Sequence, residues 1–255
     1  MIVGPQWMAA WIALAGLLLV VQLYVTPGYG RHRTPQWGVS LPNRLAWIVM
    51  EMVALGSFWW GWWWVSDAQA GEAQNAVVVV AVLLWNLHYL HRGLVYPLRT
   101  RTSGKRMPAA IMLAAVAFNL INGWLIGSSL GLGQVQSGNA ELLSVHTLFG
   151  CAMFALGAVI NLQSDNVLLA LRRGADRTYH IPRGGLFEHV SCPNFLGEIL
   201  QWCGFAVLCW NLPALAFAVW TASNLVPRAL AHHRWYLRRF ADYPANRRAL
   251  VPKVL

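Results

Sequence analysis

The chain has 255 residues, of which 57% are hydrophobic and only 11% are charged. A soluble domain carries about 25% charged residues, so this composition excludes an ordinary soluble protein and predicts an integral membrane protein. The 15 tryptophans fit the same class, because tryptophan concentrates where a membrane meets water.

Seven segments are apolar over roughly the 20 residues that a membrane-spanning helix needs. The first has no basic stretch before it, so we expect a retained span rather than a cleaved signal peptide. The sixth is expected to start at Pro193 and Asn194, which suit the first turn of a helix. The last two adjoin, and they form either a hairpin or a pair of partly re-entrant helices. The predicted spans are 6–25, 44–65, 75–96, 108–127, 143–164, 194–211 and 212–232.

Lysine and arginine occur only in alternate connections and in the carboxy-terminal tail, and the connections between those carry acidic charges alone. Basic loops stay in the cytoplasm, so the pattern places the amino terminus outside and the carboxyl terminus in the cytoplasm. We therefore predict an all-α integral membrane protein with seven transmembrane helices, forming a single domain over 1–255. The basic segments are 26–44, 92–106, 166–193 and the tail from 228.

The distribution of basic residues and the positions of the cysteines indicate which partners are not expected. The net charge of +10 follows from topology and does not predict nucleic-acid binding, because the basic residues are scattered along one membrane face. The four cysteines form no CxxC pair, so we expect no metal site and no disulfide. The cysteines are Cys151, Cys192, Cys203 and Cys209.

Ionisable side chains recur inside the predicted spans, where very few are expected. Glu51 lies about two turns into the second span, and a carboxylate in hydrocarbon needs a partner or a function. Most of the others lie toward the cytoplasmic ends, which predicts a polar cavity open to the cytoplasm. For Arg92 and Arg228 there is an alternative explanation: their long side chains can reach the membrane–water interface. The rest of the set is His88, Tyr89, His91, His146, Asp165, Glu198, His232 and His233.

Several of these residues fall in segments that resemble the steroid 5-alpha-reductase family (3-oxo-5-alpha-steroid 4-dehydrogenase). The similarity is dense from Asn161 to Pro252, and the LHYLHRGLVYP run with Glu51 adds two matches upstream. The dense matches are NLQSD at 161–165, YHIPRGGLFEHVSCPNFLGEILQW at 179–202, LPALAF at 212–217 and HHRWYLRRFADYPANRRALVP at 232–252.

The resemblance implies an NADPH-dependent reduction of the C4–C5 double bond of 3-oxo-Δ4-steroids to 5-alpha-dihydrosteroids. Hydride attack at C5 pushes charge onto the C3 oxygen, and that charge must be stabilised. Tyr89 and Glu51 are the expected catalytic pair, because a tyrosine hydroxyl and a protonated carboxyl can both donate to this oxygen. Both also belong to the expected substrate site, whose apolar walls would be Trp47, Phe118 and Trp202.

The resemblance also places NADPH among spans five to seven and their cytoplasmic loops. The segment 1–107 would form the substrate side, and 108–255 would form the cofactor side. Aspartate suits ribose hydroxyls, arginine suits phosphates including the 2′-phosphate, and glutamate suits the nicotinamide carboxamide. The positions that match the family's cofactor residues are Asn161, Asp165, Arg172, Tyr179, Asn194, Glu198, Arg228, His232 and Tyr236.

The chain departs from the animal members of the family at two further positions. Animal members carry basic residues where this chain has Leu169 and His180, so fewer phosphate contacts are expected, which lowers either the expected affinity for the cofactor or the expected preference for NADPH over NADH.

Two other interpretations stay open from the sequence. An isoprenylcysteine-type membrane methyltransferase would place S-adenosylmethionine under the carboxy-terminal helices, but it has no need of Glu51 together with Tyr89. A receptor would bind a sterol and consume no cofactor, whereas a retinal protein is excluded because Lys105 and Lys253 both lie outside the spans.

The expected partners follow from the leading interpretation. They are a steroid or a similar flat enone and the lipid bilayer, with no nucleic acid and no metal. The location would be the inner membrane of a bacterial cell or the endoplasmic reticulum of a eukaryotic one.

Overall fold

The computed structural model describes residues 4–28, 30–32, 38–66, 75–100, 104–135, 142–171 and 178–255. These residues are mostly helical, with short 3-10 turns at Gly30–His32 and Gly185–Glu188. A π-helical turn, His91–Val95, joins two of the helices. The helices are α1 (Pro5–Tyr24), α2 (Asn43–Ser66), α3 (Ala76–Leu90), α4 (Tyr96–Arg99), α5 (Ala109–Gly131), α6 (Val145–Leu171), α7 (Pro193–Cys209) and α8 (Leu212–Arg239).

Within the described residues, five helices are long and apolar enough to cross a membrane. They match the first five predicted spans, so the all-α, multi-pass class agrees with the prediction. The count of seven spans and the orientation of the termini are not established. Helices α7 and α8 are not among the five, because α7 has only 17 residues and the second half of α8 carries arginines. The five candidates are Pro5–Tyr24, Asn43–Val65, Ala76–Arg99, Ala109–Gly131 and Val145–Leu171.

Side-chain caps explain several helix boundaries. The Asn75 side chain accepts from the Val77 backbone N–H at 2.8 Å and starts α3. The Asn211 side chain accepts from the Ala214 N–H at 2.9 Å and starts α8. Helix α7 begins at Pro193, as predicted, because proline at the first helical position loses no hydrogen bond.

The chain divides into two compact units. The first contains Met1–Met8, Pro27–Leu148 and Leu208–Leu215, and the second contains Ala9–Thr26, Phe149–Val207 and Ala216–Leu255. Helices α2, α3 and α5 therefore belong to the first unit, and most of α1, α6, α7 and α8 belongs to the second. The predicted division at residue 107 stays a prediction.

In the first unit, α2 and α5 pack with their backbones in contact. A Cβ atom added to Gly123 would lie 2.7 Å from the Ala54 carbonyl oxygen, and one added to Gly127 would lie 2.7 Å from the Phe58 carbonyl carbon. Glycines spaced four residues apart make this face of α5, and small residues allow such close approach between membrane helices. The contacts advance in the same direction along both chains, so α2 and α5 are parallel.

A short antiparallel sheet joins the starts of α2 and α5. Strand β1 (Ser40–Pro42) pairs with strand β2 (Arg106–Pro108), which the sequence did not predict. Strands of three residues that end in proline have no periodic pattern to detect. The pairing brings Pro42, just before α2, against Arg106, just before α5, at one end of the unit. At the carboxyl end of α5, the Asn211 side chain donates to the Gln134 carbonyl at 2.8 Å.

In the second unit, α6 and α7 also pack through glycines. A Cβ atom on Gly157 would lie 2.5 Å from the Gly197 carbonyl oxygen, and one on Gly204 would lie 2.7 Å from the Gly150 carbonyl oxygen. These pairs run in opposite directions along the two helices, which are therefore antiparallel. Helix α1 packs on α8, where the Trp220 indole N–H donates to the Trp11 carbonyl at 3.0 Å.

Candidate functional site

The catalytic candidates Glu51 and Tyr89 lie on neighbouring helices of the first unit. A Cβ atom added to Gly93, in the π-helical turn, would lie 3.4 Å from the Glu51 Cβ and 3.0 Å from the Met52 Sδ. The turn therefore rests directly on the face of α2 that carries Glu51. Tyr89 precedes Gly93 by four residues, about one turn of 5.4 Å along the same helix face. Glu51 and Tyr89 therefore lie about one helical turn apart along this pair of helices.

A column of aromatic rings holds Tyr89 against α2. The Tyr89 ring lies 4.7 Å from the Trp85 ring, and Trp85 stacks on Phe58 of α2 at 5.8 Å. Tyr89 and Trp85 are both buried. The Phe58 contact lies two turns from Glu51, so the level of Tyr89 falls between the two places where α3 touches α2. Packing on both sides restricts the Tyr89 ring.

Trp47 and Phe118, two of the predicted substrate walls, also belong to the first unit. Trp47 is half-buried and donates from its indole N–H to the Arg92 carbonyl at 3.0 Å. The Arg92 guanidinium lies 5.2 Å from the Trp47 ring and 4.9 Å from the Tyr96 ring. This cation–π cluster holds the start of α2 against the π-helical turn. Phe118 is half-buried on α5.

Trp202, the third predicted wall, lies in the second unit. Its ring is 4.6 Å from Phe217 and 5.6 Å from Phe205, both nearly perpendicular to it. The side chain is 1% exposed, so it forms the centre of an aromatic core on α7 and α8. Its role toward a substrate stays a prediction.

The candidate cofactor residues of the second unit form ladders on three helices. Their members recur every four residues, so within each helix they share one face. Asp165 and Tyr236 are almost fully buried, at 3% and 2% exposure. The ladders are Asn161 and Asp165 on α6, Asn194 and Glu198 on α7, and Arg228, His232 and Tyr236 on α8.

Direct contacts join the three ladders. The Asn161 side chain donates from Nδ2 to the Asn194 carbonyl at 2.9 Å, which ties α6 to the first turn of α7. The Phe195 ring lies 5.5 Å from the His232 ring, which ties that turn to α8. Gly197 lets α6 approach, because a Cβ atom there would lie 2.5 Å from the Asn161 backbone nitrogen. The structure therefore gathers these residues at one end of α6, α7 and α8.

The remaining cofactor candidates lie at or beyond the end of α6. Arg172 lies outside the described residues. Tyr179 is exposed, and its ring lies 5.0 Å from Trp235 of α8. Of the two positions where the chain departs from the animal members, Leu169 is buried on α6 and His180 is exposed, 3.3 Å from the Thr178 hydroxyl.

The loop before α7 is fastened by an ion pair that sequence reasoning missed. Arg247, whose side chain has 0% exposure, donates to the Pro182 carbonyl at 2.9 Å and to the Glu188 carboxylate at 3.3 Å. The Gly184 N–H donates to the same carboxylate at 2.6 Å. That bond, and after it the charge of Arg247, lowers the pKa of Glu188. The signal in the sequence was the lone acidic residue among basic ones between 177 and 193.

Two glycines shape this loop. Gly184 has a φ of 90° and Gly185 a φ of 56°, a region that residues with a Cβ atom rarely occupy. The turn lets the Gly184 N–H reach Glu188 and starts the 3-10 segment.

Among the described residues, no cluster of three or more His, Cys, Asp or Glu side chains is placed to hold a metal ion.

These features define an all-α membrane protein in which titratable side chains gather in each of two units. Residues 105–255 match the sequence family described as 3-oxo-5-alpha-steroid 4-dehydrogenase. The chain is 37% identical to steroid 5-alpha-reductase DET2 of Gossypium hirsutum, over 88% of this chain and 86% of that protein. It is 38% identical to 3-oxo-5-alpha-steroid 4-dehydrogenase 1 of Macaca fascicularis, over 88% and 83%.

A third relative is similar to this chain over nearly the whole length of both proteins. The chain is 38% identical to 3-oxo-5-alpha-steroid 4-dehydrogenase 2 of Rattus norvegicus, over 96% of this chain and 94% of that protein. The chain therefore belongs to the steroid 5-alpha-reductase family, and it is an oxidoreductase. The predicted family and enzyme class are confirmed, in preference to the methyltransferase and the receptor.

Proposed function

We propose that this enzyme performs an NADPH-dependent reduction of the C4–C5 double bond of 3-oxo-Δ4-steroids, in which Tyr89 and Glu51 polarise the C3 carbonyl. The observation that carries the proposal is the packing of Gly93 against Glu51, one turn from the buried Tyr89. Two hydrogen-bond donors about one turn apart on neighbouring helices suit a single carbonyl oxygen held between them. The names of the relatives supply the substrate class.

The chemistry of the second unit fits a nicotinamide dinucleotide phosphate. Asp165 would accept from ribose hydroxyls, and Arg228 and Arg172 would bind phosphates. Asn194 and Glu198, on the first turns of α7, would hold the nicotinamide carboxamide. When bound, NADPH supplies a hydride. The other candidates, Asn161, Tyr179, His232 and Tyr236, would line the same site.

The chain's own residues account for the stabilisation of charge. As C5 gains a bond to hydrogen, the C3 oxygen of the enone becomes negative, and a proton delivered to C4 by a donor or a water then converts the enolate to the saturated ketone. The Tyr89 hydroxyl stays protonated at neutral pH and donates to that oxygen. Glu51, when protonated, donates a second hydrogen bond. Because the rings of Trp85 and Phe58 hold Tyr89 in place, little reorganisation is needed as the charge forms. Trp47, Phe118 and Trp202 are proposed as apolar walls.

The test uses membranes that contain the protein, a 3-oxo-Δ4-steroid and NADPH. Product mass and stereochemistry are determined together with the loss of NADPH fluorescence. Tyr89→Phe should lower kcat by about 100-fold or more while NADPH still binds, because one donor to the oxyanion is lost. Glu51→Gln should lose activity similarly, and Tyr24→Phe, at an exposed position of α1, serves as the matched control. Near-normal turnover by Tyr89→Phe would remove this residue from the mechanism.

We also propose the seven-span topology, with the amino terminus outside and the carboxyl terminus in the cytoplasm. Support comes from the first unit, where Pro42 pairs with the basic Arg106 before α2 and α5, and where Asn211 bonds Gln134 at the carboxyl end of α5, in connections that hold no lysine or arginine. In intact cells, an impermeant maleimide should label Gln134→Cys and should leave Lys253→Cys unlabelled until the membrane is opened. The reverse pattern would invert the topology.

A further inference from the structure

Ser191 is the centre of a hydrogen-bonded cluster in the second unit. Its hydroxyl oxygen lies 2.7 Å from Nδ1 of His233 and 2.7 Å from the hydroxyl of Tyr243. Ser191 and Tyr243 are both buried. The three residues come from the loop before α7, the carboxyl end of α8 and the tail, so one hydroxyl connects three segments.

The pKa of His233 indicates how the hydrogen bonds of the cluster are arranged. His233 follows the last predicted span, and burial, then the charge of Arg248, lowers the pKa of His233 below its ordinary 6.5. With Nδ1 of a neutral imidazole as the acceptor, the Ser191 hydroxyl donates to His233. The Tyr243 hydroxyl then donates to the Ser191 oxygen. Both buried hydroxyls of the cluster have partners in this arrangement, as buried polar groups require.

Backbone hydrogen bonds reinforce the connection between the loop and the tail. The Ser191 N–H donates to the Arg248 carbonyl at 2.8 Å, the Cys192 N–H donates to the Ala249 carbonyl at 3.1 Å, and the Arg248 N–H donates to the His189 carbonyl at 3.0 Å. These bonds end immediately before Pro193, which has no N–H to contribute. The position of the first turn of α7 therefore depends on Ser191 and Cys192.

The cluster also touches one of the cofactor ladders. The Tyr243 ring stacks on Tyr236 of α8, with centroids 5.1 Å apart and an angle of 11° between the planes. Displacing Tyr243 would therefore remove a stacking contact from Tyr236 and a hydrogen bond from Ser191. None of the three cluster residues belongs to the predicted cofactor set.

We propose that Ser191, His233 and Tyr243 are positioning residues that hold the first turn of α7, with Asn194 and Glu198, in the orientation that binds the nicotinamide cofactor. The inference rests on the proposed cofactor site. The cluster acts on binding: it orients the groups that contact the cofactor and is not itself required for the chemistry.

The experiment uses the full chain in lipid nanodiscs. The Kd for NADPH is measured by quenching of tryptophan fluorescence, and the KM for NADPH and kcat are measured separately. Ser191→Ala should raise Kd and KM about tenfold, the value of one or two hydrogen bonds, with kcat at saturating NADPH within about twofold of the parent. Amide hydrogen exchange between 189 and 198 should be faster in the cofactor-free variant. Tyr243→Phe should show a smaller effect and carries the test if Ser191→Ala does not fold.

Conservative replacement provides the discriminating control. His233→Asn keeps a polar atom near the position of Nδ1 and should retain most of the affinity, whereas His233→Leu should behave like Ser191→Ala. Ser144→Ala removes a serine hydroxyl that accepts from the Thr147 N–H at the start of α6, and it should leave the Kd unchanged.

Two results would overturn this inference and leave the proposed function unaffected. One is an unchanged Kd in folded Ser191→Ala and Tyr243→Phe, and the other is equal damage from His233→Asn and His233→Leu with kcat and KM falling together. If the parent protein binds no NADPH at all, the proposed cofactor fails first, and the inference fails with it.

Discussion

The Asn161 side chain donates a hydrogen bond from Nδ2 to the Asn194 carbonyl oxygen, 2.9 Å away, and so ties α6 to the first turn of α7. Both residues had been assigned to the cofactor by resemblance alone. The contact gives Asn161 a structural function that does not require a cofactor: it fixes the spacing of two of the three ladders.

Asn161→Ala should therefore weaken both the fold and the cofactor site. We expect a loss of about 1 kcal/mol in unfolding free energy, as for one buried hydrogen bond, and a several-fold rise in the NADPH Kd. Thermal unfolding in detergent and fluorescence titration measure the two effects. Gln163→Ala, which removes an exposed amide from the same helix, is the matched control. Equal effects of the two variants would show that the interhelical bond contributes nothing.

Gly197→Ala should separate α6 from α7. The added Cβ atom would lie 2.5 Å from the Asn161 nitrogen and 2.6 Å from the Gly157 carbonyl oxygen, and backbone atoms cannot move aside cheaply. We expect a destabilisation of about 2 kcal/mol or more and poor NADPH binding. Gly56→Ala has nothing within 4 Å and should be neutral or stabilising, since alanine is the better helix former. The thermal unfolding midpoints of the two variants test this prediction. A Gly197→Ala midpoint equal to that of the parent would contradict the close packing.

Ser57→Ala should weaken the α2–α5 interface that supports Glu51. The Ser57 hydroxyl donates across the interface to the Asn119 carbonyl at 2.9 Å, and the Asn119 side chain donates to the Met50 carbonyl at 2.6 Å. We expect about 1 kcal/mol of lost stability and a lower kcat, because Met50 adjoins Glu51. Ser129→Ala removes a buried hydroxyl that bonds the Ile126 carbonyl of its own helix, and it should be milder. Unfolding curves and single-turnover rates compare the two.

The Glu188–Arg247 contact predicts a dependence of stability on pH. The pKa of Glu188 is lowered in the folded protein from its ordinary 4.5, first by the Gly184 N–H and then by Arg247. The unfolded chain therefore binds the proton more tightly, so the stabilisation is complete above pH 4.5 and is lost as the pH falls through the folded pKa. Glu188→Gln should be less stable than the parent at pH 7, and the difference should vanish in acid. A difference that is constant across this range would refute the assignment.

Arg172→Ala should reduce the preference for NADPH. If the guanidinium binds the 2′-phosphate, its loss should raise the KM for NADPH by about tenfold or more and should hardly change the KM for NADH. Arg234→Ala, which removes an exposed arginine from α8, is the control for general charge. Parallel changes for both nucleotides would place Arg172 away from the 2′-phosphate.

The sequence anticipated the features that are written locally. Apolar runs predicted the five spans that the structure contains, and Pro193 predicted the start of α7. The last two predicted spans were not established, because α7 is short and α8 carries arginines toward its carboxyl end. The candidate residues came from ionisable side chains in the predicted spans and from family resemblance, and the structure added that each set lies on one helix face.

By itself, the sequence determined the membrane class, the distribution of charge along the chain and the family, because hydropathy and motif identity depend on neighbouring residues. Only the tertiary structure decided which glycines meet a second backbone, that β1 pairs with β2, and that Arg247 is buried against Glu188. It also decided that Ser191 joins His233 and Tyr243. Each of these contacts joins segments that are distant along the chain. A glycine or a serine has the same local pattern whether or not another segment packs against it, so the partner becomes known only when the helices are assembled.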